Sequence, residues 1–236
     1  MAKPDYVLIT CEHGGNRIPA RYRPLFAGFD ALLQTHRGYD PGALALARQM
    51  AKALTAPLFV SSTSRLLIDL NRSIGHSHLY SEATRGVPAK VRRDILEKYY
   101  LTYRNQVEAH IADAIAHGSR VIHLSSHSFT PELDGAIRNA DVGLLYDPAR
   151  SGELELCRRW QTRLKARAPE LDVRRNYPYT GKSDGFTAYL RRRFPADVYV
   201  GIELEINQKH VYKGGRQWHA LRSQVIGSLC QAITAG

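Results

Sequence analysis

Tyr6-Val7-Leu8-Ile9-Thr10 runs without a break into Cys11-Glu12-His13-Gly14-Gly15-Asn16. An apolar, β-branched run of this length reads as a buried strand, and the polar glycine-bearing run reads as the loop at its carboxyl end. Working outward, Pro41–Leu54 has apolar residues at helical spacing, with Asp40 in the N-cap position and Pro41 at the first helical position. Leu58–Ser62 and Arg65–Leu70 read as strands, and Pro88–His117 as a long, broken amphipathic helical region closed by Gly118. Val121–Ser125, Val142–Tyr146 and Val198–Ile206 complete the strands, while Gly152–Arg167, Gly185–Arg193 and Gln217–Ile233 complete the helices. Strands alternating with helices predict an α/β fold in a single domain, residues 1–236, with a mixed, largely parallel central sheet and helices on both faces. Ligands in such sheets collect at the carboxyl ends of the strands.

The composition bounds the function. A chain of 236 residues buries a core without disulfides or structural metals, and 44% hydrophobic with 23% charged residues is ordinary for a globular protein. No apolar run approaches the ~18 residues that a membrane-spanning helix needs, and the amino-terminal residues lack the pattern of a secretory signal. The cysteines, Cys11, Cys157 and Cys230, are odd in number and far apart, which favours reduced thiols and a cytoplasmic location. The net charge of +11 is the unusual quantity, and it points to anionic partners. Between Ser151 and Arg193 stand eleven Lys/Arg against five Asp/Glu. Arg158, Arg159, Arg163, Lys165 and Arg167 fall on one helix and read as a solvated face. A nucleic-acid groove would interleave aromatics with these charges, and only Trp160 is in place. Neither nucleic acid nor membrane is an expected partner.

Four polar groups lie at or just beyond strand ends: Glu12-His13, Asp69-Leu70-Asn71-Arg72, Ser125-Ser126-His127-Ser128, and Glu203-Leu204-Glu205-Ile206-Asn207. Two histidines, carboxylates and an arginine are the parts of a metal hydrolase, in which the ion activates water and a free Glu moves the proton. An Asn-Arg pair anchors a substrate carboxylate. Each piece also has a structural reading. His13 can bond backbone in a tight Gly-Gly turn, Asp40 is sufficiently explained as an N-cap, and Arg72 can bond carbonyls around Asp69. Glu203 and Glu205 share one face of an apolar strand, where two carboxylates are costly to bury without partners; at least one of them is expected to be functional.

In order along the chain, Cys11-Glu12-His13-Gly14-Gly15-Asn16-Arg17-Ile18-Pro19, Asp40, Asp69-Leu70-Asn71-Arg72, His127-Ser128 and Leu204-Glu205-Ile206-Asn207-Gln208 resemble the N-formylglutamate amidohydrolase family, grouped with zinc carboxypeptidase-like and aspartoacylase-like hydrolases. The resemblance implies a phosphorylase/hydrolase-like sheet, one zinc or another divalent ion, and hydrolysis of an N-acyl amino acid such as N-formylglutamate, a small anionic substrate. It implies His13 and His127 as metal ligands, with Asp40 as the third and Glu12 or His36 as substitutes. Zinc carboxypeptidases place a Glu three residues after the first His, and here that residue is Asn16. Where the better-known formylglutamate enzymes have a Glu four residues after it, this chain has Arg17. By the same resemblance Glu205 is the general base, Asn71 and Arg72 bind the carboxylate, Lys182 and Ser183 line the substrate side, and Arg138 is a second arginine for substrate or oxyanion. Two rivals remain: a related metal-dependent amidase or peptidase acting on another acylated amino acid or small peptide, and a non-catalytic basic protein that binds nucleic acid or other anions.

Overall fold

The computed structural model describes residues 3–234; the ends of the expected unit, residues 1–2 and 235–236, lie outside the described residues. The opening run forms β1 (Asp5–Cys11), followed by a 3-10 segment at Ala20–Phe26, α1 (Asp30–Leu33), α2 (Ala43–Leu54) and β2 (Leu58–Val60). The long helical region is α3 (Ala89–Ile95), a π-helical segment at Leu96–Leu101, and α4 (Thr102–Ala116). Then come β3 (Arg120–Phe129), the small hairpin β4 (Glu132–Leu133) and β5 (Ala136–Ile137), β6 (Val142–Leu145), α5 (Ser151–Arg167) and β7 (Val173–Arg175). The chain continues through α6 (Phe186–Arg193), β8 (Tyr199–Asn207), α7 (Gln208–Lys213) and α8 (Gly215–Thr234).

The strands form one six-stranded sheet in the order β2-β1-β3-β8-β6-β7. β2, β1, β3 and β8 run parallel, β6 is antiparallel to β8, and β7 is parallel to β6. Helices cover both faces. Ile9 joins a core with Met50 of α2, Trp160 of α5 and Leu229 of α8, whereas its neighbour Leu8 joins Ile111 of α4 and Phe186 of α6 on the opposite face. A strand buried on both sides is apolar at every position, which is why the run reads as unbroken rather than alternating.

Three expectations change. Arg65–Leu70 is not a strand but a turn. Ser64 starts it: its hydroxyl donates to Gly38 O (2.8 Å) and accepts from Leu66 N (3.2 Å), which diverts the backbone from any ladder. Leu66, Leu67 and Ile68 still reach the core, and that burial gives them the appearance of a strand. Asp40 does not cap α2, which starts at Ala43 after Gly42 without any side-chain cap; its carboxylate turns toward His127 and Arg65 instead. β3 runs on to Phe129, so Ser126, His127 and Ser128 lie within the strand rather than beyond it.

The basic stretch is partly structural. Arg159 donates to Ala232 O (3.1 Å) and Arg167 to Gln224 (3.1 Å), tying α5 to α8. Arg191 pairs with the fully buried Glu153 (2.9 Å). Trp160 is itself buried and donates to Ser228 (3.1 Å), so it offers no stacking surface. Among the described residues no helix is long and apolar enough to cross a membrane.

Candidate active site

The sheet brings the distant polar groups together. β1, β3 and β8 are adjacent and parallel, so Glu12 and His13 after β1, His127 on β3 and Glu205 on β8 reach the same end of the sheet. His127 is registered directly opposite Glu205, and Ser125 opposite Glu203. β6 places Gly143 against Glu205 on its other side. A Cβ at Gly143 would lie 1.9 Å from Tyr177 O and 3.2 Å from Glu205 Cβ, so only glycine lets the loop after β7 pass so closely. Asp40 is positioned from its backbone, its N–H donating to His13 O (2.9 Å). Beyond the turn, Arg104 holds the Leu70–Arg72 backbone by donating to Leu70 O (3.3 Å) and Arg72 O (3.0 Å). Its guanidinium stacks on Tyr100, Phe186 and Tyr189 at 4.4–4.8 Å from their centroids.

Three carboxylates surround the two histidines. His13 Nε2 is 2.8 Å from Asp69 Oδ1, and its Nδ1 is 3.4 Å from Asp40 Oδ2. His127 Nδ1 is 2.8 Å from the same Asp40 oxygen, and its Nε2 is 3.1 Å from Glu12 Oε2. Glu12 also accepts from Ser125 Oγ (2.6 Å) and Tyr103 OH (3.2 Å). Each imidazole therefore has a supporting carboxylate at Nε2 and turns Nδ1 toward Asp40. This is the arrangement in which outer carboxylates orient histidine ligands of a metal. One donor atom each from His13, Asp40 and His127 lie within 4.8 Å of one another, all buried. His13 Nδ1 is buried without a hydrogen-bond partner, an orphaned group of the kind that a cation satisfies. The donor set of two imidazoles and a carboxylate fits zinc or another divalent ion.

The electrostatics agree. Burial opposes the charge on Asp69, but Arg65 and His13 hold its carboxyl well below the usual range. The same opposition at Asp40 is overcome by His13, His127 and Arg65, and at Glu12 by His127 and Ser125, so both stay ionised. Burial also works against a charged His127 ring, yet Asp40 and Glu12 outweigh it and hold its pKa well above the ordinary value. Glu205 behaves oppositely. Burial pushes its carboxyl up to about 8, opposed by His127 and reinforced by Asp40 and Glu203. Its Oε2 is buried without a partner.

His13, Asp40, His127, Glu203 and Glu205 line a cleft of about 260 Å³ shared with Asn71, Arg72, Tyr179 and Ser183. The Asn71 amide oxygen accepts from Phe186 N (2.6 Å), leaving the NH2 group as its available donor. Arg72 Nη1 donates to Asp184 O (2.8 Å), and the Asp184 carboxylate is held by Ser73. Ser183 is on the cleft wall; Lys182 is exposed and off it. Arg138 is also off the wall, donating to Tyr179 OH (2.9 Å) with its guanidinium 5.0 Å from the ring centroid. His36 lies in an adjoining groove with Arg37 and Arg65 rather than with the His13–Asp40–His127 group. Two residues escaped the sequence reading. Arg65 bridges Asp40 (3.2 Å) and Asp69 (2.8 Å), and Tyr179 forms part of the wall. Nothing local in sequence marks either one.

The profile of the N-formylglutamate amidohydrolase family matches residues 6–212. Among solved structures, the gene product Atu2144 from Agrobacterium tumefaciens is similar at 28% identity and a TM-score of 0.80, covering 97% of this chain and 90% of that one. An N-formylglutamate amidohydrolase from Ralstonia eutropha JMP134 shares the fold at 17% identity and a TM-score of 0.67, over 99% and 94% of the two chains. No curated protein matches the chain.

Proposed function

The chain belongs to the N-formylglutamate amidohydrolase family, and on that premise we propose that it is a metal-dependent hydrolase cleaving the amide bond of N-acyl amino acids, N-formyl amino acids foremost. The observation that carries this reading is the convergence of the His13–Asp40–His127 donor set, the unpartnered Glu205 carboxyl and the Asn71–Arg72 pair on one cleft. His13, Asp40 and His127 would hold a divalent ion, zinc for preference, whose contribution is Lewis-acid polarisation and a lowered pKa for water. Asp69 and Glu12 orient the two histidines, and Arg65 holds Asp40 and Asp69 in place.

Arg72 and the Asn71 NH2 group bind the carboxylate of the amino-acid portion, which sets the amide against Glu205. Glu205 takes a proton from the attacking water and returns it to the leaving nitrogen, so the acid and the free amine form without net proton change at the residue. Its burial suits both halves of this exchange. Arg138 acts at one remove, holding Tyr179 against the cleft. The free thiols of Cys11, Cys157 and Cys230 favour a reducing compartment, the cytoplasm, and we read the chain as one catalytic domain.

The test is release of free amine from N-formyl and N-acetyl amino acids by metal-loaded protein. Glu205→Gln is expected to bind metal as the wild type does and to lose about 10²–10⁴ in kcat. Turnover retained by this variant removes Glu205 from the reaction.

A further inference from the structure

Glu203 is the part of the cleft that this mechanism leaves unused. It lies two residues before Glu205 on the same face of β8, so it opens into the same cleft. Its Oε1 accepts from Thr187 Oγ1 (2.5 Å), while Oε2 accepts from no described residue. A Cβ at Gly185 would lie 3.1 Å from Glu203 Oε1 and 3.2 Å from Asn71 Oδ1, so both side chains lie against Gly185. A substrate whose carboxylate rests on Asn71 and Arg72 would share this cleft with Glu203.

The available cations are few. Arg65 and Arg72 are the arginines on the wall, facing Asp40, Asp184, Glu203 and Glu205. Arg65 is engaged by Asp40 and Asp69, and Arg72 is assigned to the backbone carboxylate. Arg191, on α6, is committed elsewhere, with Nε on Glu153 (2.9 Å), Nη1 on Gly181 O (2.5 Å) and Nη2 on Gly201 O of β8 (2.7 Å). Lys182 and Arg138 are off the wall. A second substrate carboxylate, such as that of a glutamate side chain, would find no uncommitted cation among the described residues of the wall and would meet Glu203 as a like charge. A side chain bearing N–H groups would instead give Glu203 Oε2 the donor it lacks.

We propose that Glu203 is the specificity-determining residue of this cleft, and that the amino acid released carries an N–H-donating side chain, cationic for preference, instead of a carboxylate. The inference rests on the amidohydrolase reading for the placement of the backbone carboxylate on Asn71 and Arg72. It is tested by kcat/KM of the metal-loaded enzyme for the N-formyl derivatives of arginine, lysine, glutamine, leucine and glutamate. The wild type is expected to favour arginine or lysine over glutamate by at least about tenfold, and Glu203→Gln to shrink that ratio at least about tenfold. A ratio taken within one preparation does not depend on the fraction folded. Glutamate as the best substrate, or a ratio unmoved in Glu203→Gln, overturns the proposal.

Calorimetric binding of free arginine and free glutamate to the same metal-loaded proteins separates the two readings. If no derivative is hydrolysed, the hydrolase reading fails and the binding ratio alone decides Glu203. Tighter arginine binding that weakens in Glu203→Gln supports the assignment; tighter glutamate binding, or no change in the variant, overturns it.

Discussion

Two buried charge clusters in this molecule make an instructive pair. Around Glu153, every polar atom finds a partner. Arg191 Nε reaches both carboxylate oxygens, Asp147 N and Gly201 N donate to them, and the remaining Arg191 nitrogens go to Gly181 O and Gly201 O. At the carboxyl ends of β1, β3 and β8 the buried polar groups do not close on themselves. His13 Nδ1 and Glu205 Oε2 are buried without hydrogen-bond partners, although three carboxylates stand around the two rings. A structural cluster repays its desolvation with internal bonds, whereas this second one is completed only by something that enters the cleft. The difference locates the chemistry better than charge or burial does.

The contrast can be broken at either cluster. The largest effect is expected from His127→Ala or His13→Ala, each of which should lose the bound metal and reduce N-formyl amino-acid turnover to background; elemental analysis beside the assay checks both, and full metal occupancy in either variant removes that ligand. At the other cluster, Arg191→Met leaves Glu153 buried and unpaired. It should lower unfolding free energy by about 3–5 kcal/mol in denaturant titration, while the folded fraction binds metal normally. Loss of metal binding at full stability would mean that the two clusters are not separable.

A smaller effect is expected from Asp69→Asn, which weakens the support of His13 without removing a ligand. Metal affinity, read by competition with a chromophoric chelator, should fall about 10–100-fold. The remaining effect is a pH dependence. In metal-free protein the Glu205 carboxyl is raised from 4.5 to about 8, so its contribution to stability is fully present below 4.5 and lost as pH rises through about 8. Metal-stripped Glu205→Gln should therefore gain in Tm relative to wild type between pH 5 and pH 9. A constant difference across that range contradicts the assigned environment.

Much of this site is legible in sequence because strand ends announce themselves. The apolar run Tyr6–Thr10 stops at Glu12-His13, and the β8 run carries Glu203 and Glu205 on one face, so the fold class and the convergence of polar groups follow from local pattern. What is not legible depends on contacts between distant residues. Arg65 looks like the start of a strand until Asp40, twenty-five residues earlier, is placed beside it. Asp40 satisfies every local rule for an N-cap, and only the position of His127 shows where its carboxylate points. The positive charge misleads for the same reason. Arg191 and Arg159 count toward a basic surface in composition, yet they bond carbonyls and a buried carboxylate inside the fold. Arg138 and Lys182 follow the site in sequence order but do not reach the cleft wall.

The open cluster is the centre of the account, and metal reconstitution measures it most directly. Protein stripped with a chelator is titrated with zinc while N-formyl amino-acid hydrolysis is followed. Turnover absent at the start and rising linearly to a break at one equivalent, with no recovery in His13→Ala, is the predicted result. Undiminished turnover in stripped protein that holds no metal would contradict it.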